Sequence, residues 1–99
     1  MESAATSGLR ITEVRASPAG LADMDRGLVA YLELELNGCL LVKSTLRRTR
    51  AGRLALSFPC RRGRRGRQYT LVRPLDNAAR LTIEAQVFEA LGLCWEDAL

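Results

Sequence analysis

The residues best suited to chemistry in this sequence are five arginines that fall within seven positions. They are Arg61, Arg62, Arg64, Arg65 and Arg67, interrupted by Gly63 and Gly66. An arginine side chain stays charged at physiological pH, and its planar guanidinium donates two parallel hydrogen bonds to a phosphate. Glycine lacks a Cβ and permits positive φ, so a chain with this spacing can follow a backbone groove closely. The spacing predicts a phosphate-binding loop, although a solvated turn in an arginine-rich chain has the same composition.

Two aromatic residues flank these arginines, Phe58 before them and Tyr69 after them. Aromatic rings beside a basic segment can stack on unpaired bases. An aromatic residue in a short strand can equally pack into the core. For Phe58 we expect the core, whereas for Tyr69 both interpretations stay open.

The residue types that catalysis most often uses are scarce. The 99-residue chain contains no histidine, and its three cysteines, Cys39, Cys60 and Cys94, are widely spaced. Histidine is the commonest general base and zinc ligand, so its absence argues against both kinds of site. Reduced thiols that pack as small apolar side chains are expected. The only candidate nucleophile is Cys60, beside the arginines, and no base accompanies it. We therefore expect neither an enzyme nor a bound cofactor or metal.

Charge divides the chain into two parts. From Leu36 to Leu75 there are eleven basic residues and no Asp or Glu, whereas the remainder carries four arginines and all eleven carboxylates. A composition biased toward arginine does not by itself remove every carboxylate from so long a segment. The charge pattern therefore favours a polyanionic partner such as nucleic acid.

Period-two alternation predicts the elements that would position these arginines. Leu28 to Leu36 alternates over nine residues, and Asn37-Gly38 suits the positive φ angles of a type I′ hairpin turn. The other expected strands cover 9–15, 39–46, 54–58 and 68–73. Residues 16–27 are rich in Pro, Gly and Asp and are predicted to form a loop, as is the arginine segment.

The last element changes to a helical period. Asp76 or Asn77 can cap a helix that ends at Gly92. Ile83, Val87 and Leu91 form a stripe that should cover one face of the sheet. A second stripe, Leu81, Ala85 and Phe88, either widens this core-facing surface or contacts another subunit. The predicted fold is α+β, with an antiparallel sheet of about five short strands and a C-terminal amphipathic helix packed on it.

Several of these segments, in this order, resemble the SpoVG family, named for stage V sporulation protein G and for septation. The resemblance covers residues 9–91. It is carried by ITEVR at 11–15, GLVAYLELELNGCLLV at 27–42, GRLALSFP at 52–59, VRPLDN at 72–77 and the closing helix. No single motif is diagnostic, and the match depends on their order, spacing and coverage.

The resemblance implies a homodimer formed partly through sheet edges and a bacterial regulator that binds DNA and, in some members, RNA. The arginines from Arg61 to Arg67 match the family's basic region after the strand, Arg47 and Arg48 its preceding basic turn, and Arg73 precedes the apolar-Pro pair. Family members usually carry lysine and some acidic residues in this loop. A loop of arginine and glycine alone favours phosphate contacts over sequence readout.

The charge pattern predicts a nucleic-acid-binding protein, and the resemblance implies that it is a homodimeric regulator. The alternative is a protein-interaction adaptor whose basic loop docks an acidic protein. We expect one domain at 9–92 between a disordered tail at 1–8 and a tail at 93–99. No apolar run is long enough for a membrane span and no signal peptide is apparent, so a cytoplasmic location is expected. The candidate nucleic-acid-binding residues are Arg61, Arg62, Arg64, Arg65, Arg67, Arg47, Arg48, Arg73 and Tyr69.

Overall fold

The computed structural model describes residues 8–93 and has an α+β fold, as predicted. Four strands form an antiparallel sheet in sequential order, and two shorter strands form a separate antiparallel pair. The elements are β1 (Ile11–Pro18), α1 (Leu21–Asp25), β2 (Leu28–Leu36), β3 (Leu40–Arg48), β4 (Leu54–Ser57), β5 (Cys60–Arg62), β6 (Gln68–Thr70) and α2 (Asn77–Leu91). Apart from Gly8 and Leu93, the tails expected at 1–8 and 93–99 lie outside the described residues. Neither helix of the described part is long and apolar enough to cross a membrane.

The hairpin of β2 and β3 is the centre of the sheet. In β2, Leu32 and Leu34 are buried on the core side, whereas Tyr31 on the opposite side is exposed. Asn37 and Gly38 both have positive φ, 53° and 68°, and the Cys39 N–H donates to the Leu36 carbonyl over 2.9 Å. These angles confirm the predicted turn, because Asn and Gly tolerate the left-handed region at little cost.

Helix α2 covers one face of this sheet. It begins after Asp76, whose carboxylate accepts a hydrogen bond of 2.8 Å from the Ala79 N–H, and it ends at Gly92 in the left-handed region. Val87 and Phe88 are buried in the same core as the sheet leucines, and Ile83 and Leu91 pack against it. The first predicted stripe therefore faces the sheet. In the second stripe, Phe88 is also buried in the core, whereas Leu81 is exposed.

Helix α2 also bonds both outer strands of the sheet. On β4, the Leu56 N–H donates to Glu84 Oε2 and the Leu56 carbonyl accepts from Arg80 Nη1, both over 3.0 Å. At the start of β1, Gln86 accepts from the Ile11 N–H over 2.7 Å and donates to a carbonyl two residues earlier over 3.1 Å. Main-chain groups that an edge strand would otherwise leave open are thereby satisfied within the chain.

Two segments predicted as loops contain regular structure. Strand β1 continues to Pro18, opposite Ala30, and α1 follows it within the segment 16–27. Proline is tolerated there because β1 is an edge strand, where a missing N–H can face away from the ladder. The arginine segment is also not a plain loop, since β5 and β6 pair across it. The structure thus has six strands in two sheets rather than about five in one.

Candidate nucleic-acid interface

The five clustered arginines lie on a hairpin, residues 60–70, that we call the arginine hairpin. Arg61 pairs with Tyr69 and Arg62 with Gln68, and the Gly63 N–H donates to the Arg67 carbonyl over 2.6 Å. A tight turn, Arg64–Gly66, closes the tip, with Arg65 in the left-handed region at φ 60°. Two of the arginines therefore lie on β5, two in the turn at the tip, and one immediately before β6.

The arginine hairpin is separate from the four-stranded sheet. At its base the Leu71 and Val72 N–H groups donate to the Pro59 carbonyl over 3.1 and 3.3 Å, and its pairing is otherwise within itself. All five arginines are exposed. The ion pairs within residues 8–93 join Arg15 to Glu13 and Arg80 to Glu84, so none of them neutralises a hairpin arginine. The result is a concentration of positive charge without carboxylate partners in the described part of the chain.

Tyr69 belongs to the arginine hairpin and not to the core. Its side chain is 49 % exposed, and its ring lies against Gly63 so closely that a Cβ at that position would overlap the ring carbons. Arg61, its cross-strand partner, lies on the same face of the hairpin. Phe58, in contrast, packs against the core as expected, with the Arg80 guanidinium 5.8 Å from its ring centre.

Of the remaining predicted arginines, Arg47 and Arg48 lie apart from the hairpin, and Arg73 lies beside its base. Arg47 and Arg48 end β3, at the opposite end of β4, and a four-residue strand spans about 13 Å. Arg48 donates to the Gly52 carbonyl over 2.7 Å and, with Arg26, lines a concavity of about 360 Å³ beside α1. Arg73 follows Val72 at the hairpin base, and its Nη1 donates to the Pro74 carbonyl over 3.2 Å.

Sequence reasoning missed the open face of the four-stranded sheet, opposite α2. A concavity of about 470 Å³ lies on it, and its lining residues include Tyr31, Lys43, Phe58 and Pro59. The alternation of β2 places Tyr31 and Glu33 on this face. Which residues of β1, β3 and β4 stand beside them depends on the strand register, which no local pattern specifies.

Arg15 lies at the rim of this concavity. Its guanidinium donates to both carboxylate oxygens of Glu13, over 3.2 and 3.3 Å. This hydrogen bonding and the attraction of the carboxylate raise the pKa of Arg15 above its ordinary value. Arg15 is therefore a permanent cation on the open face.

The described residues contain no group of His, Cys, Asp and Glu side chains placed to hold a metal ion. Comparison of the chain with models of protein families, with curated proteins and with solved structures found no match. The resemblance to the SpoVG family therefore stays a prediction that depends on the motifs quoted above.

Proposed function

We propose that this chain is a nucleic-acid-binding regulatory protein that holds the phosphate backbone with the arginine hairpin. The observation that supports this most is the concentration of five exposed arginines, without carboxylate partners among residues 8–93, on one separate hairpin. DNA is the principal ligand and RNA a further candidate. The SpoVG resemblance extends the proposal to a regulator in the bacterial cytoplasm.

The mechanism follows from the chemistry of arginine. Each guanidinium on the hairpin can donate two hydrogen bonds to a phosphate, and the major groove of B-DNA is wide enough for a two-stranded ribbon. Helix α2 is a poor recognition helix because its only basic residue, Arg80, bonds Leu56 and Glu84. Phosphate contacts position a protein without reading sequence, so broad binding with little sequence preference is expected.

The proposed active form is a homodimer. Exposed apolar side chains follow one another from the base of the hairpin into α2, and we call them the apolar segment: Leu71, Val72, Leu75 and Leu81. The outer strands already bond α2 through the Leu56 and Ile11 N–H groups. The apolar segment is therefore a better candidate for the subunit contact than the sheet edges at those two residues. Pairing two subunits there would bring two arginine hairpins to one nucleic acid.

The test is fluorescence anisotropy with duplex DNA, single-stranded DNA and RNA of equal length across a salt series. A variant with the five hairpin arginines changed to serine should lose binding at about 150 mM salt. Its plot of log K against log salt should be shallower by roughly 4 to 5 for duplex DNA, because about five phosphate contacts per chain are lost. Changing Arg47 and Arg48 together should reduce the slope by about 2 at most.

Arg73→Ser removes one arginine beside the hairpin base and should reduce the slope by about 1 at most. Equal, weak binding by the wild type and the hairpin variant would contradict the proposal. Salt-labile binding of that kind would favour the alternative, an adaptor whose hairpin docks an acidic protein.

A further inference from the structure

The open face of the sheet carries an exposed aromatic ring at its centre. Tyr31 lies in β2, an inner strand, with a side chain that is 49 % exposed. The register places Ser17 and Thr45 directly beside it on the two neighbouring strands, and Ser57 beyond Thr45 on β4. A flat ring is thus bordered on both sides by hydroxyl groups, which both donate and accept hydrogen bonds.

The next row on the same face carries charge. Arg15, Glu33 and Lys43 are opposite one another on β1, β2 and β3. Arg15 and Lys43 therefore flank Glu33, but Arg15 is already bound to Glu13, so Lys43 is the cation of this row that is left to contact a phosphate. The Glu33 carboxylate is an acceptor for the amino group of a base.

The concavity over these rows lies next to the arginine hairpin in the chain, because its last lining residue immediately precedes the hairpin. Its lining includes Pro59, whose carbonyl accepts the two hydrogen bonds that close the hairpin base. Its volume of about 470 Å³ lies in the usual range of small-ligand sites, which is ample for one base and its sugar. A strand whose phosphates lie on the hairpin can therefore continue onto this face.

We propose that this concavity binds one unpaired base of a single strand, with Tyr31 as the stacking platform, an inference that rests on the proposed nucleic-acid-binding function. The hydroxyls of Ser17 and Thr45 contact the base edge, and Lys43 contacts the adjoining phosphate. A base inside a duplex is already stacked and paired, so only single-stranded DNA or RNA can use the site. The protein should therefore bind single strands more tightly than the hairpin alone would allow.

The experiment compares a single-stranded thymidine 12-mer with an abasic 12-mer that carries the same phosphates. The wild type should bind the thymidine strand about 5- to 150-fold more tightly, the range expected for a base stacked on an aromatic ring. Tyr31→Ala should remove this difference and leave binding of the abasic strand unchanged. Tyr31→Phe keeps the ring and should keep the difference.

Leu41→Ala is the matched control, since Leu41 is an exposed apolar residue on the same face and does not line the concavity. It should bind both strands as the wild type does. Far-UV circular dichroism of each variant checks that the sheet is intact. We expect an intact sheet, because Tyr31 and Leu41 are exposed and their replacement leaves no cavity in the core.

The outcomes separate this inference from the proposed function. If the serine variant of the hairpin arginines weakens binding of both strands but Tyr31→Ala leaves the difference unchanged, the base site is wrong and the hairpin function stands. The base site is also wrong if Tyr69→Ala, rather than Tyr31→Ala, abolishes the difference. If the hairpin variant binds both strands as the wild type does, the proposed function itself is wrong.

Discussion

Gly63 is a residue on which the shape of the arginine hairpin depends. Its backbone is extended, with φ −99° and ψ −163°, a conformation that any residue adopts. What requires glycine is the Tyr69 ring, which occupies the space where a Cβ would lie. Gly66 differs, because nothing lies near its Cβ position and its φ of +72° is what favours glycine there.

We predict that Gly63→Ala displaces the Tyr69 ring, because the added methyl group and the ring carbons cannot share that space. The ring proton shifts of Tyr69 in NMR spectra should change markedly. Gly66→Ala strains the backbone by about 1 kcal/mol but crowds no side chain, so it serves as the control and should leave those shifts nearly unchanged. Unchanged Tyr69 shifts in the Gly63 variant would contradict the close packing.

At the scale of elements, α2 covers the sheet and bonds one main-chain position on each outer strand. Its contact with β4 uses Glu84, which is only 2 % exposed and accepts from both Leu56 N–H and Arg80. A carboxylate is costly to bury, and these two donors offset that cost. These hydrogen bonds, together with the apolar contacts of the helix, hold α2 in a defined position against β4.

Glu84→Ala should lower the free energy of unfolding by about 2–3 kcal/mol, because it leaves the buried Leu56 N–H without an acceptor. Glu84→Gln keeps an acceptor oxygen at that position and should cost about 1 kcal/mol or less. Glu89→Ala, at an exposed position of the same helix, is the control and should change stability by less than about 0.5 kcal/mol. Urea unfolding with comparison of midpoints measures all three, and equal losses for the alanine and glutamine variants would show that the acceptor is unimportant.

At the scale of the whole molecule, the apolar segment and the arginine hairpin are consecutive, joined where the chain leaves β6. Leu75 is 75 % exposed and Leu71 60 % exposed. A contiguous exposed apolar patch is characteristic of association surfaces, and the proposed dimer assigns these side chains to one. A dimer built on them would double the number of arginines available to one nucleic acid, and hence the salt dependence of binding.

We predict that Leu75→Asp weakens self-association at least tenfold, because the variant places a carboxylate in an apolar contact. Sedimentation equilibrium measures the dimer dissociation constant directly. Leu21→Asp is the control, since Leu21 is comparably exposed but lies on α1, and it should leave association unchanged. A wild-type chain that stays monomeric at all concentrations would overturn the dimer and leave the hairpin proposal standing.

Sequence alone determined the elements whose causes lie within a few residues. Asn37 and Gly38 turn the β2–β3 hairpin because both accept positive φ, and the Asp76 carboxylate caps α2 because it reaches the Ala79 N–H. The basic cluster is likewise evident from the sequence, because the charge of an arginine does not depend on the fold. The α+β class is also evident from the sequence, because the apolar residues recur every two positions in the strands and about every 3.6 positions in the last element.

Only the tertiary structure decided which residues stand beside one another. Cys60–Arg62 is too short and too polar to be recognised as a strand, and it becomes one by pairing with Gln68–Thr70, the first half of the strand predicted at 68–73. Tyr31 meets Ser17 and Thr45 because of a register that shifts between Ile11 and Glu13 and again between Leu28 and Ala30. A shift of one residue moves every side chain of a strand to the other face, so the proposed open-face site depends on the register of the folded sheet.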